Sequence, residues 1–174
     1  MLRFAESLPP EVEVVRFNFP YREQGSKRPD PMPVLQQSIK EVAEQHRKGR
    51  LFLGGRSMGG RAASMLAAEG YPCDGLILAA YPLHPATQPE KLRDAHLSKI
   101  KCPVLCLNGT RDALCTPALM ERAIAGLANW HMHWLEGADH SFHVLKSSGR
   151  SDADVDDEVA GAVRRWLEKT RRPS

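Results

Sequence analysis

Three side chains in this sequence have the types and the placement for nucleophilic catalysis: a serine, an aspartate and a histidine, each just past an apolar run. The serine lies in Gly55-Arg56-Ser57-Met58-Gly59, a G-x-S-x-G that follows the apolar residues 51–53. A serine on a tight strand-to-helix turn has strained backbone angles, and side chains two residues to either side would collide. Glycine at both places relieves the collisions and leaves the hydroxyl exposed at the C-terminal edge of a sheet. The helix that follows begins at the serine, so its free N–H groups face any oxyanion that develops there, and the N–H of Met58 is the expected donor. A bare G-x-S-x-G is a weak signal. Its structural alternative is a glycine-rich turn that holds a phosphate. No G-x-x-x-x-G-K-[ST] and no G-x-G-x-x-G occurs to support that alternative.

A serine nucleophile needs a base, and the base needs an acid to orient it. The run 104–108 leads into Gly109-Thr110-Arg111-Asp112, and the run 132–136 leads into Gly137-Ala138-Asp139-His140. Asp112 and His140 then stand past the ends of two strands, on the sheet edge that carries Ser57. Asp112 has a structural alternative, capping the helix that starts near Pro117. Asp139 is the weaker acid, because a residue adjacent to the base seldom reaches its Nδ1. Of the seven histidines, His140 is preferred by position and His143 is the fallback.

His131, His133, His140 and His143 also invite a metal reading, since His131 and His133 share one face of a strand. No H-E-x-x-H and no Cys–His spacing typical of zinc is present. These histidines therefore read as surface or core residues, with no metal. Cys115 is near Asp112 in sequence, but nothing marks it as a lowered-pKa thiol.

The elements that must position these residues are short strands alternating with helices. Strand-like runs fall at 12–19, 50–54, 75–80, 104–108 and 132–136. Helical spacing falls at 34–48, 57–70, 117–127 and 152–170, the last opening with Ser and Asp and closing with Lys and Arg. Its Val155, Val159, Val163 and Trp166 form one apolar stripe. Near-continuous apolar strands between helices predict an α/β three-layer sandwich with a mostly parallel sheet. Residues 20–33 read as a proline-punctuated loop.

A chain of 174 residues fits one domain spanning 1–174. The net charge of +3 is mild, and the basic clusters at 22–28, 47–50 and 169–172 are short, without interleaved aromatics. They read as a solvated face, not as a nucleic-acid surface. The four cysteines form no C-x-x-C, which fits free thiols in a reducing cytosol. No apolar run is long enough to span a membrane, and residues 1–10 lack a signal-peptide layout. The expectation is a soluble cytoplasmic protein.

At these residues the chain resembles the α/β-hydrolase superfamily, and more closely its small cap-less, dienelactone-hydrolase-like members. The resemblance rests on FNFPY (17–21), GGRSMGGR (54–61), YPLHP (81–85), LNGTRD (107–112) and EGADHSF (136–142). It implies a minimal α/β-hydrolase fold, a triad of Ser57, Asp112 and His140, no cofactor, and a small-molecule ester-type substrate cleaved through an acyl-enzyme. Only residues 82–103 stand where many members insert a lid, which implies a site open to solvent.

Family members normally have further strands before this point, one of which supplies the second oxyanion donor. Here a helix is expected at residues 1–8, and the strand that usually lies between 12–19 and 50–54 is missing. With one donor, stabilisation of the transition state drops by about 3 kcal/mol, or roughly 10²-fold in rate. Residues 12–19 are then expected to pair with the nucleophile strand, or to leave an edge that a second copy covers. The rival readings are a non-catalytic α/β-hydrolase-fold binding protein and a flavodoxin- or Rossmann-like nucleotide binder. The latter would need a phosphate loop.

Overall fold

Among the described residues, four parallel strands, in the order β1-β2-β3-β4, carry the site at their C-terminal ends. The computed structural model describes residues 12–171. In chain order the elements are α1 (Pro20–Glu23), α2 (Met32–His46), β1 (Phe52–Arg56), α3 (Met58–Ala68), β2 (Gly75–Ala79), β3 (Val104–Gly109), α4 (Pro117–Ile124), β4 (Trp130–Leu135) and α5 (Asp152–Arg171). Two 3₁₀ turns, Leu97–Lys99 and Lys146–Ser148, lie between them.

The apolar strands follow from burial on both faces. Successive side chains of a strand point to opposite sides. Leu53, Leu76, Leu78, Val104 and Cys106 pack with α2 and α3 in one cluster, while Leu105, Leu107 and Leu135 pack with α5 in the other. All six positions of β3 are buried, as a central strand covered on both sides requires. The expected stripe on α5 is the face laid on the sheet, with Val155, Val159, Val163 and Trp166 all buried. Each such side chain contributes about 1.5–3 kcal/mol on leaving water. Ser151 opens α5: its Oγ accepts the N–H of Asp154, whose carboxylate accepts the N–H and hydroxyl of Ser151.

The structure corrects two expectations. Residues 12–19 form no strand and, among the described residues, do not pair with β1. Their β-branched and aromatic content is a preference for half-buried pleated surface, and here the segment is largely exposed, with Val15 and Phe17 in solvent. Instead Phe17, Phe19 and Tyr21 pack on one another, edge-on and then stacked. The outer edge of β1 is unpaired among the described residues. Residues 20–33 are also not all loop. Pro20 starts a one-turn helix, Asp30 accepts the N–H of Tyr21, and Met32 already begins α2. The helix expected at 1–8 lies outside the described residues.

At the N-terminal edge of the sheet the sulfurs of Cys73 and Cys102 are 3.6 Å apart. Among the described residues no helix is long and apolar enough to cross a membrane.

Candidate active site

Ser57 is the single residue between β1 and α3, with φ 51° and ψ −116°, a conformation that costs a non-glycine residue about 1–3 kcal/mol. Packing imposes it. The N–H of Ser57 donates to the carbonyl of Ala79 on β2 at 2.8 Å, continuing the ladder one residue past β1. Gly55 permits the turn: a Cβ there would stand 2.6 Å from the Gly59 carbonyl carbon. The reciprocal position is Gly60, where a Cβ would meet the Gly55 oxygen at 2.7 Å. Gly59, expected to relieve the second collision, is not the tight position. A Cβ there would meet only the ring of Phe19, at 3.7 Å. Met58 opens α3, so its N–H is one of the donors without an intrahelical acceptor.

The structure brings Ser57, Asp112 and His140 together. The Nδ1–H of His140 donates to Asp112 Oδ2 at 2.8 Å, and His140 Nε2 accepts from the Ser57 hydroxyl at 2.9 Å. The Asp112 side chain is fully buried, whereas that of His140 is 29% exposed. Asp112 does not cap α4, whose N-cap is Thr116. Its Oδ1 instead accepts the N–H of Leu114 at 2.8 Å. Asp139 uses its carboxylate on its own turn, accepting the N–H groups of Ser141 and His143. His143 faces away, to Asp152 at 2.9 Å. The acid and base loops nest because position 109 has no side chain: a Cβ there would stand 2.1 Å from the Ala138 oxygen.

Two residues of the site were not singled out by sequence reasoning. Asn108, fully buried, donates to Asp112 Oδ2 at 3.2 Å and exchanges hydrogen bonds with the backbone of Tyr81. An amide at the end of an otherwise apolar central strand was the available signal, because a buried amide must find partners. Arg56, a variable position of the motif, donates through Nη2 to the carbonyl of His140 at 2.7 Å and covers the Phe142 ring. Nothing in its spacing pointed to a residue 84 positions away.

The other candidates lie outside the cluster. Burial, and then the charge of Asp112, push the Cys115 thiol up to about 12, so it is no thiolate nucleophile. His131 and His133 line an open hollow of about 460 Å³ with Pro103, Trp130 and Lys169, beside the N-terminal strand ends. Among the described residues no three His, Cys, Asp or Glu side chains are grouped to hold a metal.

A family model described as an alpha/beta hydrolase domain matches residues 1–168. The chain belongs to the alpha/beta hydrolase family. An alpha-beta serine hydrolase homologue from Coxiella burnetii aligns with this alpha/beta hydrolase at a TM-score of 0.67 and 19% identity, over 92% of this chain and 74% of its own. An α/β serine hydrolase without a lid from Xanthomonas campestris aligns at 0.55 and 22% identity, over 78% of this chain and 56% of its own. At these identities the likeness is one of fold. The chain spans little more than half the length of the second protein.

Proposed function

We propose that this hydrolase cleaves an ester-type acyl bond of a small molecule through an acyl-enzyme on Ser57. One observation carries the reading: a single imidazole, His140, spans Ser57 Oγ at 2.9 Å and Asp112 Oδ2 at 2.8 Å. Ser57 Oγ attacks the carbonyl carbon as Nε2 of His140 takes the hydroxyl proton. The carbonyl electron pair moves to oxygen, which faces the N–H of Met58. Collapse of this adduct breaks the bond to the leaving oxygen, which receives the proton from Nε2. Water repeats the sequence on the acyl-enzyme and frees Ser57. Asp112 holds the tautomer and stabilises the imidazolium. The strained Ser57 backbone supports the reading, since strain of this kind collects at functional residues.

The test is intact-mass labelling with a neutral fluorophosphonate, on the wild type and on Ser57→Ala. One adduct on the wild type and none on the variant is the expected result. An unlabelled wild type would overturn the hydrolytic reading and favour a binding protein on the same fold.

A further inference from the structure

At the end of the sheet away from Ser57, the backbone holds Cys73 and Cys102 side by side. Cys73 follows Pro72 in the link from α3 to β2, and Cys102 precedes Pro103 at the entry to β3. The two prolines narrow the backbone freedom of both segments. Hydrogen bonds fix them further. The N–H of Asp74, next to Cys73, donates to the Leu51 carbonyl at 2.7 Å, and the Leu51 N–H donates to Asp74 Oδ2 at 2.7 Å. The Cys102 carbonyl accepts Asn129 Nδ2 at 2.8 Å, and the Pro103 carbonyl accepts the Leu76 N–H at 2.9 Å. The two sulfurs, 29 positions apart in sequence, thereby stand 3.6 Å apart as free thiols. Adjacent strands run about 4.8 Å apart, within the Cα span of a disulfide, so the remaining approach is one of side-chain rotation.

The cysteines differ in reach. Cys106 and Cys115 are fully buried, and burial raises the pKa of both thiols. Cys73 and Cys102 are half-buried against the core cluster that holds α2 and α3. The hydrogen bond from Cys73 lowers the pKa of Cys102 against the effect of burial, while the same bond and then burial raise that of Cys73. Thiol–disulfide exchange starts from a thiolate, which makes Cys102 the attacking sulfur and Cys73 the resolving one.

We propose that Cys73 and Cys102 form a redox-modification site, at which a low-molecular-weight disulfide installs a reversible bridge between the segments leading into β2 and β3. The Cys102 thiolate attacks one sulfur of the small disulfide, whose S–S bond breaks and releases the first small thiolate. Cys73 loses its proton and attacks the Cys102 sulfur, breaking the mixed disulfide and releasing the second. The two protons of the pair end on the two small thiols, so the protein dithiol is oxidised and the small disulfide is reduced. The bridge closes the 73–102 loop in the unfolded chain, which raises the stability of the folded one. Nothing in this depends on the hydrolytic reading of Ser57.

The test places the full chain in a series of ratios of reduced to oxidised glutathione, then alkylates it with N-ethylmaleimide in denaturant for intact mass and peptide mapping. On the oxidised side, Cys106 and Cys115 are expected to be alkylated, while Cys73 and Cys102 are joined in one pair of peptides. The melting temperature is expected to rise by about 5–10 °C and to fall back with dithiothreitol. In Cys73→Ser the glutathione mixed disulfide collects on Cys102, and in Cys102→Ser neither the bridge nor the rise in melting temperature occurs. A wild type alkylated at both Cys73 and Cys102 at the most oxidising ratio overturns the proposal. So does a bridge that joins other cysteines or two chains.

Discussion

Asp112 divides its carboxylate, with Oδ1 on the Leu114 N–H and Oδ2 shared between Asn108 and His140. Asp112→Asn turns an amide toward the imidazole and selects the wrong tautomer, so kcat is expected to fall about 10⁴-fold in steady-state kinetics. Asn108→Ala removes one donor from that carboxylate and unpairs the Tyr81 backbone, at about 1–3 kcal/mol in urea unfolding. If the variant lost stability but kept kcat, Asn108 would be a packing residue alone. The His143–Asp152 pair anchors the base loop, because Asp152 also takes the N–H of Val144. The hydrogen bond to Asp152 raises the pKa of His143, and the hydrogen bond from His143 lowers that of Asp152. The raised histidine contributes fully below its ordinary value, and the contribution fades as pH rises through the folded value. The lowered aspartate contributes above its ordinary value, and the contribution fades as pH falls through the folded one. The melting-temperature gap between wild type and Asp152→Asn is therefore widest between about pH 4 and 6.5 and narrows above. Both groups are exposed, so the gap is small, and a gap that ignored pH would rule out a charge contribution.

At the scale of elements, the β1–α3 turn depends on which glycine is substituted. Gly55→Ala drives a Cβ into the backbone of Gly59 and Gly60, and neither can move without shifting Ser57. A loss of about 1–3 kcal/mol, together with loss of fluorophosphonate labelling, is expected. Gly59→Ala gains helix propensity against only ordinary contact with Phe19, so it should unfold no earlier than the wild type in calorimetry. If both variants behaved alike, the packing account of the turn would be wrong. On the opposite face, Trp166 packs edge-on against Phe52, 5.8 Å between ring centres, and ties α5 to the nucleophile strand. Trp166→Ala is expected to cost about 3–5 kcal/mol.

For the whole molecule, the edge of β1 that is unpaired among the described residues is the surface where association through a second copy is expected, since an unpaired strand edge presents a row of free N–H and C=O groups. Light scattering across a concentration series checks this, and the mass of a single chain throughout would sink it. The four parallel strands, the helices between them and the places of Ser57, Asp112 and His140 were legible because each depends on local pattern. Apolar runs buried on both faces, a glycine-flanked serine and polar residues just past strand ends need only near neighbours in sequence to be recognised. Residues 12–19 were not legible, because strand propensity is realised only when a partner edge lies alongside, and no residue type encodes that. Gly60 looked ordinary and Gly59 looked critical until the Gly55 carbonyl was located. Arg56 and Asn108 acquire meaning only from what faces them across the fold. Sequence alone thus determined the elements and the chemical candidates, through periodicity and turn chemistry. Tertiary structure decided which polar atoms meet, because distance and burial between residues far apart in the chain are set by packing.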